Sequence, residues 1–335
     1  MPSLDIFSGD AFNLQSLTAA INAPTLLPGQ IGRISSLGLF AEQGITTTVV
    51  SIERDGRTLT IVPATQRGAP GTPISGNKRS LIPFHTLHLP QTATILADEV
   101  QNVRAFGTDG DEETVLTLVN QRLATMRRNL DLTNEWHRAG ALKGQILDAN
   151  GSTVLLDLFT SFGVSQIVHF MALEVGGTDV QTKCKDIRRK VEDELDGLPY
   201  TSIRVLASRT FMDALSSYAD VKDAWNFAQA QNRISGAKDF TYGDVVFEEY
   251  HGKIGSLTFI PEGEAIAIPE GVPDLFITRY APGDYMETVN TIGLPYYARQ
   301  EPMDMNKGVE IEAQSNPLHL CTRPRTILRL KKTAS

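Results

Sequence analysis

Residues 46–63 constrain this chain more than any other stretch. Thr46 to Glu53 and Thr58 to Pro63 are rich in β-branched residues and flank Arg54-Asp55-Gly56-Arg57. Asp-Gly between two such runs predicts a two-residue hairpin loop, because both central positions of that turn need positive φ. With Asp55 and Gly56 as the loop, Ile52 faces Leu59 and Val50 faces Ile61. Those four share one face, while Ser51, Glu53, Thr58 and Thr60 line the other. A two-stranded ribbon is marginal in water by itself. Burying the four apolar side chains would contribute roughly 6–12 kcal/mol, an upper estimate at ~1.5–3 each. Something must cover that face, and the sequence leaves open whether it is the chain's own body or a neighbouring molecule.

The flanks of the ribbon sharpen the question. Before it, Pro2, Pro24 and Pro28 and Gly9, Gly29, Gly32 and Gly38 punctuate short apolar clusters. This predicts an arm with one short helix near Asn13 to Ile21 and little local core. After it, Pro63, Pro70, Pro73, Pro83 and Pro90 break residues 64–95. Proline removes a ladder donor, so this stretch is neither helix nor central strand. A long helix is then predicted over 111–141. Asp111, Glu112 and Glu113 load its first turn with negative charge, and Val115, Val119, Leu123, Met126 and Leu130 form one apolar stripe. Gly140 and Gly144 close it, and a hairpin from Gln145 to Phe159 turns at Asn150-Gly151.

The remainder alternates helices and strands, an α+β pattern. Val180, Cys184, Ile187, Val191, Leu195 and Leu198 trace an amphipathic helix closed near Gly197, and Ser208 is placed to cap another carrying Phe211, Met212, Leu215 and Tyr218. Strands are predicted at Ile203–Ala207, Asp244–Tyr250, Leu257–Ile260, Ala265–Ile268, Leu275–Arg279, Val309–Gln314 and Ile327–Leu330.

Bulk properties exclude several roles. The 335 residues carry a formal net charge of −8, whereas gripping nucleic acid runs on clustered Lys and Arg. No run reaches the ~18 apolar residues of a membrane span. The start, Met1-Pro2-Ser3-Leu4-Asp5, has no secretory character. Two distant cysteines, Cys184 and Cys321, argue against a disulfide framework and for synthesis in a reducing compartment.

Local chemistry is sparse. Gly71 and Gly76 stand at phosphate-loop spacing, but Asn77-Lys78-Arg79-Ser80 replaces the Gly-Lys-Ser/Thr that a phosphate loop needs. The six histidines are scattered, so no metal site and no cofactor are expected. Asp193, Glu194 and Asp196 lack calcium-loop spacing. No nucleophile elbow is present, and no catalytic residues are assigned.

Several phrases recur in a known order. They are Ile82-Pro83-Phe84 through Leu89-Pro90, with Asp98-Glu99-Val100-Gln101-Asn102-Val103-Arg104; Leu142-Lys143-Gly144-Gln145; Gly243-Asp244-Val245-Val246-Phe247-Glu248-Glu249-Tyr250; Ile260-Pro261-Glu262-Gly263 leading to Ala281-Pro282-Gly283; and Gln314-Ser315-Asn316-Pro317-Leu318 near the end. In this order, over nearly the whole chain, they resemble the major capsid protein E family of lambda-like tailed bacteriophages. That resemblance implies a Hong Kong 97-type fold. Its parts would be an N-terminal arm (1–45), an extension loop (46–95), a peripheral domain (96–169) with the spine helix at 111–141, an axial domain (170–300) and return strands (301–335). The extension loop would contact a neighbouring subunit through Val50, Ile52, Arg54, Asp55, Gly56, Arg57, Leu59 and Ile61.

The implied function is structural rather than enzymatic. Copies would form pentamers and hexamers in an icosahedral shell enclosing double-stranded DNA, with no sequence-specific DNA binding and no membrane. A scaffolding protein, a portal and a decoration protein would be partners. Assembly would occur in the host cytoplasm, and the product would be the virion capsid. The alternatives are another phage structural protein of the tail or baseplate, and a cytoplasmic α+β enzyme.

Overall fold

A computed structural model of the chain describes residues 13–23, 31, 39–54, 80–101, 111–235, 239–255 and 257–334. Two compact units emerge. The first takes the chain up to Val50 together with His85–Arg138 and Phe276–Leu320. The second takes Ser51–Phe84, Ala139–Leu275 and Cys321–Ser335.

Along the chain, α1 (Leu14–Asn22) starts where the Asn13 side chain accepts the Ser16 amide proton at 2.8 Å. Next come β1 (Ala41–Gly44), β2 (Val49–Arg54), β3 (Ser80–His85), β4 (Leu89–Leu96), α2 (Ala97–Gln101) and the 33-residue α3 (Asp111–Lys143). At ~1.5 Å per residue α3 is about 50 Å long. The hairpin β5 (Gln145–Leu147) and β6 (Val154–Asp157) turns where Asn150 Oδ1 accepts the amides of Ser152 and Thr153. It is shorter than predicted, because Asp157 caps α4 (Leu158–Phe162) by accepting the Thr160 amide. Then follow β7 (Ile167–Phe170), α5 (Val180–Leu195), β8 (Ser202–Ala207), α6 (Arg209–Ser217) and α7 (Ala219–Ser235). The strands β9 (Asp239–Tyr242), β10 (Val245–Glu249), β11 (Lys253–Ile254), β12 (Leu257–Thr258) and β13 (Glu264–Glu270) lead to β14 (Phe276–Tyr280). The last elements are β15 (Tyr297–Pro302), β16 (Gly308–Ser315), β17 (Pro317–Cys321) and β18 (Leu328–Lys331).

The first unit holds two three-stranded sheets, ordered β15-β16-β4 and β1-β14-β17. Pro90 lies in β4, an edge strand of its sheet, where a missing amide proton breaks no ladder. The core packs Val119, Leu123, Met126 and Leu130 of α3 against Ile95, Ala298, Val309, Ile311 and Ala313. From Val119 to Leu130 the predicted stripe is therefore the helix's core face, while the Val115 side chain lies outside the described residues.

The arm is corrected here. It was expected to lack a local partner, yet Leu17 and Ile21 of α1 are buried in this same core. The Asn22 side-chain amide donates to the Tyr296 carbonyl at 2.9 Å, and the Thr18 hydroxyl donates to the Ala298 carbonyl at 3.4 Å. Farther along, the Ile31 amide donates to Glu135 Oε1 at 2.8 Å, and Phe40 packs on Phe276. Leu17 and Ile21 lie one helical turn apart and need only one apolar strip to cover them, which α3 and β15 provide.

The second unit is built on a six-stranded mixed sheet, β7-β18-β13-β8-β10-β9. β8 runs parallel to β10 and antiparallel to β13. On one face Val205, Ala207, Phe247, Ala265, Ala267, Leu328 and Leu330 meet Val180, Cys184, Ile187, Val191 and Leu195 of α5 and Phe211 and Leu215 of α6. The opposite face carries Arg204, which reaches Glu270 at 2.6 Å and Glu248 at 2.8 Å. Ser208 stands at the N-cap of α6 as predicted, but its side chain makes no capping hydrogen bond. Both cysteines are free and buried.

Candidate assembly surface

Of the eight residues assigned to the extension loop, Val50 and Ile52 lie half-buried in β2, and Arg54 ends that strand. Asp55, Gly56, Arg57, Leu59 and Ile61 lie outside the described residues. So does Thr58–Pro63, the strand expected to pair with β2. Among the described residues β2 pairs with β3 in a two-stranded sheet, and Leu81 of β3 leaves 67% of its surface exposed. The first predicted strand is shifted, since 46–48 form a bend and pairing starts at Val49.

Two apolar patches of the first unit escaped the sequence reading, and each sits on a firmly held backbone. One is the tip of the β15–β16 hairpin, where Met305 is 86% exposed beside Leu96 at the end of β4. The other is the turn before β15, where Met286 is 88% exposed and Ile292 68%, with Val289 and Leu294 also exposed. Here Gly293 donates its amide to the Ile45 carbonyl at 2.9 Å, and Ile45 donates to the Tyr280 carbonyl at 2.9 Å. A Cβ on Gly44 would lie 2.1 Å from the Gly293 carbonyl oxygen, and one on Gly293 2.0 Å from the Tyr280 oxygen. Only glycine fits at either place. The available signal was four large apolar residues between Pro282 and Pro295, the first three spaced by three in a stretch too short for a helix that could bury them.

The first unit also holds a buried polar network that the scattered histidines of the sequence did not reveal. The apolar stripe of α3 continues into Asn134 and His137, both buried. His319 Nε2 donates to Asn134 Oδ1 at 3.4 Å, while its Nδ1 accepts from the Thr278 hydroxyl at 2.8 Å. Asn134 in turn donates to the Tyr296 hydroxyl at 3.2 Å, Tyr296 donates to Asp131, and the Arg127 guanidinium lies 4.2 Å over the Tyr296 ring. Burial, then the nearby Arg138 and His137, hold the His319 pKa well below the usual imidazole value. Burial first, and then the Asp131 carboxylate, push the Tyr296 phenol up. The run from Thr278 through His319, Asn134 and Tyr296 to Asp131 is joined by hydrogen bonds at every step, which makes it a structural device.

The second unit offers a cleft of about 460 Å³, lined in part by Lys143, Gln145, Asp157, Phe159, Glu264 and Arg329. Burial lowers the Lys143 pKa to about 8, with Glu264 opposing the shift. The remaining charged groups are already hydrogen-bonded within the cleft. Arg329 Nε donates to Glu264 at 2.7 Å, and the Gln145 amide donates to Asp157 at 2.7 Å. Among the described residues no group of three or more His, Cys, Asp or Glu is placed to hold a metal ion.

Exposed apolar side chains on braced backbone, beside polar groups tied inward, are the pattern of a molecule that buries surface against other molecules. The profile of the phage major capsid protein E family matches residues 13–332. The chain belongs to this family. The major capsid protein of Salmonella phage Felix O1 is 26% identical, with 96% of this chain and 97% of that protein covered. A protein described as a prophage capsid protein from E. coli CFT073 has a similar structure, with a TM-score of 0.58 at 14% identity over 96% of this chain and 99% of that one. The mature capsid of bacteriophage PhiM1 is similar too, at a TM-score of 0.50 and 12% identity over 94% of this chain and 90% of that one. The fold is thus the α+β capsid fold that the sequence resemblance implied. As a major capsid protein, the chain is a structural part of the virion, and its copies associate into a capsid lattice. These relatives support the shell reading and not the tail or baseplate alternative.

Proposed function

We propose that copies of this capsid protein close into an icosahedral shell of pentamers and hexamers around double-stranded DNA, without sequence-specific DNA contacts and without catalysis. The observation that carries this is the family match over residues 13–332. The net charge of −8 fits a container wall that DNA does not stick to. The cleft beside Lys143 supports the non-catalytic part, because its Arg329, Glu264, Gln145 and Asp157 already bond one another.

In this reading residues 46–95 are an extension loop that lies on a neighbouring copy through Val50, Ile52, Arg54, Asp55, Gly56, Arg57, Leu59 and Ile61. The pairing of β2 with β3 supports it, as a two-stranded ribbon gains stability from a third surface. The peripheral domain would span 96–169 with its spine helix at 111–141, the axial domain 170–300, and residues 301–335 would return to the peripheral domain. A scaffolding protein, a portal and a decoration protein complete the proposed partners, with assembly in the host cytoplasm.

Deleting Arg54 to Arg57 tests the loop. The variant is expected to remain soluble and folded by circular dichroism, yet to form no closed particles by electron microscopy. Normal shells from the deletion would remove the extension-loop assignment.

A further inference from the structure

The turn at 286–294 combines two properties that seldom occur together: it is apolar and exposed, and it is rigidly held. Met286, Val289, Ile292 and Leu294 all face solvent. The backbone beneath them is tied on every side. The buried Thr288 donates its hydroxyl to the Gly283 carbonyl at 2.6 Å, and Thr291 donates its own to the Thr288 carbonyl at 2.7 Å. The Leu294 amide donates to the Tyr297 hydroxyl at 2.9 Å, and Gly293 is pressed between β1 and β14. Arg299 pairs with Glu287 at 3.0 Å and lies 5.5 Å over the Tyr285 ring, while Tyr285 donates to Glu312 at 3.0 Å. A loop so held cannot fold its apolar side chains away. It also loses little conformational freedom when another surface covers it, which is the property of a preorganised contact.

What covers it follows from the second patch of the same unit. The 286–294 turn precedes β15, and the Met305–Leu96 tip follows it. Six residues of strand at ~3.3 Å each separate the two by about 20 Å, so neither patch can cover the other within one chain. Two unlike uncovered patches at opposite ends of one sheet are what a head-to-tail contact between copies uses, and such contacts form rings where the rotation closes. As a member of a capsid protein family the chain associates into a lattice of like copies, which makes a second copy the partner at hand for an uncovered patch.

We propose that the 286–294 turn is a head-to-tail contact whose occupant is a second copy of this chain. The proposal rests on the shell reading above. A photo-reactive phenylalanine at Met286 of the full chain, irradiated in assembled particles, is expected to yield a covalent product of twice the chain mass, with the second attachment mapped to this same sequence. The Met286→Ser/Val289→Ser variant is expected to raise the concentration needed for assembly at least tenfold, while thermal unfolding of the dissociated chain stays unmoved. Particles that form but give no chain–chain product, or that attach only to another protein, would overturn the contact and leave the shell reading standing. Unaltered assembly of the double variant would overturn it equally. An unmodified chain that makes no particles at all would strike the shell reading itself.

Discussion

At the scale of single residues, two buried histidines give the capsid protein an acid limit. In the second unit Lys190 Nζ donates to His169 Nδ1 at 3.0 Å; burial, then Lys190 and Lys183, lower the His169 pKa to about 4. His319 in the first unit is depressed by burial, then by Arg138 and His137. The folded state holds both imidazoles neutral, whereas the unfolded chain protonates them below about 6.5. Unfolding therefore takes up protons as pH falls, and stability is lost between pH 6.5 and the depressed folded value. For His169 the loss reaches at most about 3 kcal/mol by pH 4, at ~1.4 kcal/mol per pH unit. Urea unfolding of the free chain at pH 7, 6 and 5 is expected to show this decline, with a shallower slope in His169→Gln. An identical slope in the variant would mean that the acid limit comes from other groups. The sequence showed each of these histidines alone, because the partners that hold them neutral are up to 185 residues away.

At the scale of elements, the arm helix is the sharpest test of what belongs to one copy. Leu17 is 1% exposed, packed with Val119 and Leu123 of α3 and with Ala298 of β15. Leu17→Ala in the dissociated chain is expected to cost about 2–4 kcal/mol, the range for a buried leucine that leaves a cavity. A free chain indifferent to the change would restore the arm that depends on its neighbours. The elements that were legible in sequence carried their own period. The stripes of α3 and α5 are local patterns, and the core faces repeat them. The missed strands have no such signature. β1 reads Ala-Glu-Gln-Gly and is a strand because β14 pairs with it in parallel register, from Ala41 with Ile277 to Gly44 with Tyr280. β17 reads Pro-Leu-His-Leu-Cys and is buried along its whole length, so no alternation marks it. Part of the assembly surface was missed for the same reason. Met286, Val289 and Ile292 stand three apart, but over a stretch too short to tell a helix face from a turn, and their exposure depends on Gly44 and Gly293 closing on each other across 249 residues of chain.

At the scale of the whole molecule, charge and apolar surface pull in opposite directions. Each copy carries a formal charge of −8, so copies drawn together repel while their uncovered patches attract. Repulsion of this kind acts over the Debye length, about 30 Å at 0.01 M salt but ~8 Å at 0.15 M. Apolar burial is not screened and is strengthened by excluded salts such as sulfate. Added salt should therefore favour assembly. Light scattering of the dissociated protein is expected to show the threshold concentration falling several-fold between 0.02 and 0.3 M sodium chloride, and falling further with sodium sulfate at equal ionic strength. Ion pairs between copies would produce the reverse, since screening weakens them as well. Ion pairs within the first unit favour the first outcome. Arg299 is already joined to Glu287, Arg138 to Glu42 and Arg122 to Glu99 within the chain. A threshold that rises with salt would show that those pairs exchange partners on assembly, and that charge rather than the apolar turn and hairpin tip directs how copies meet.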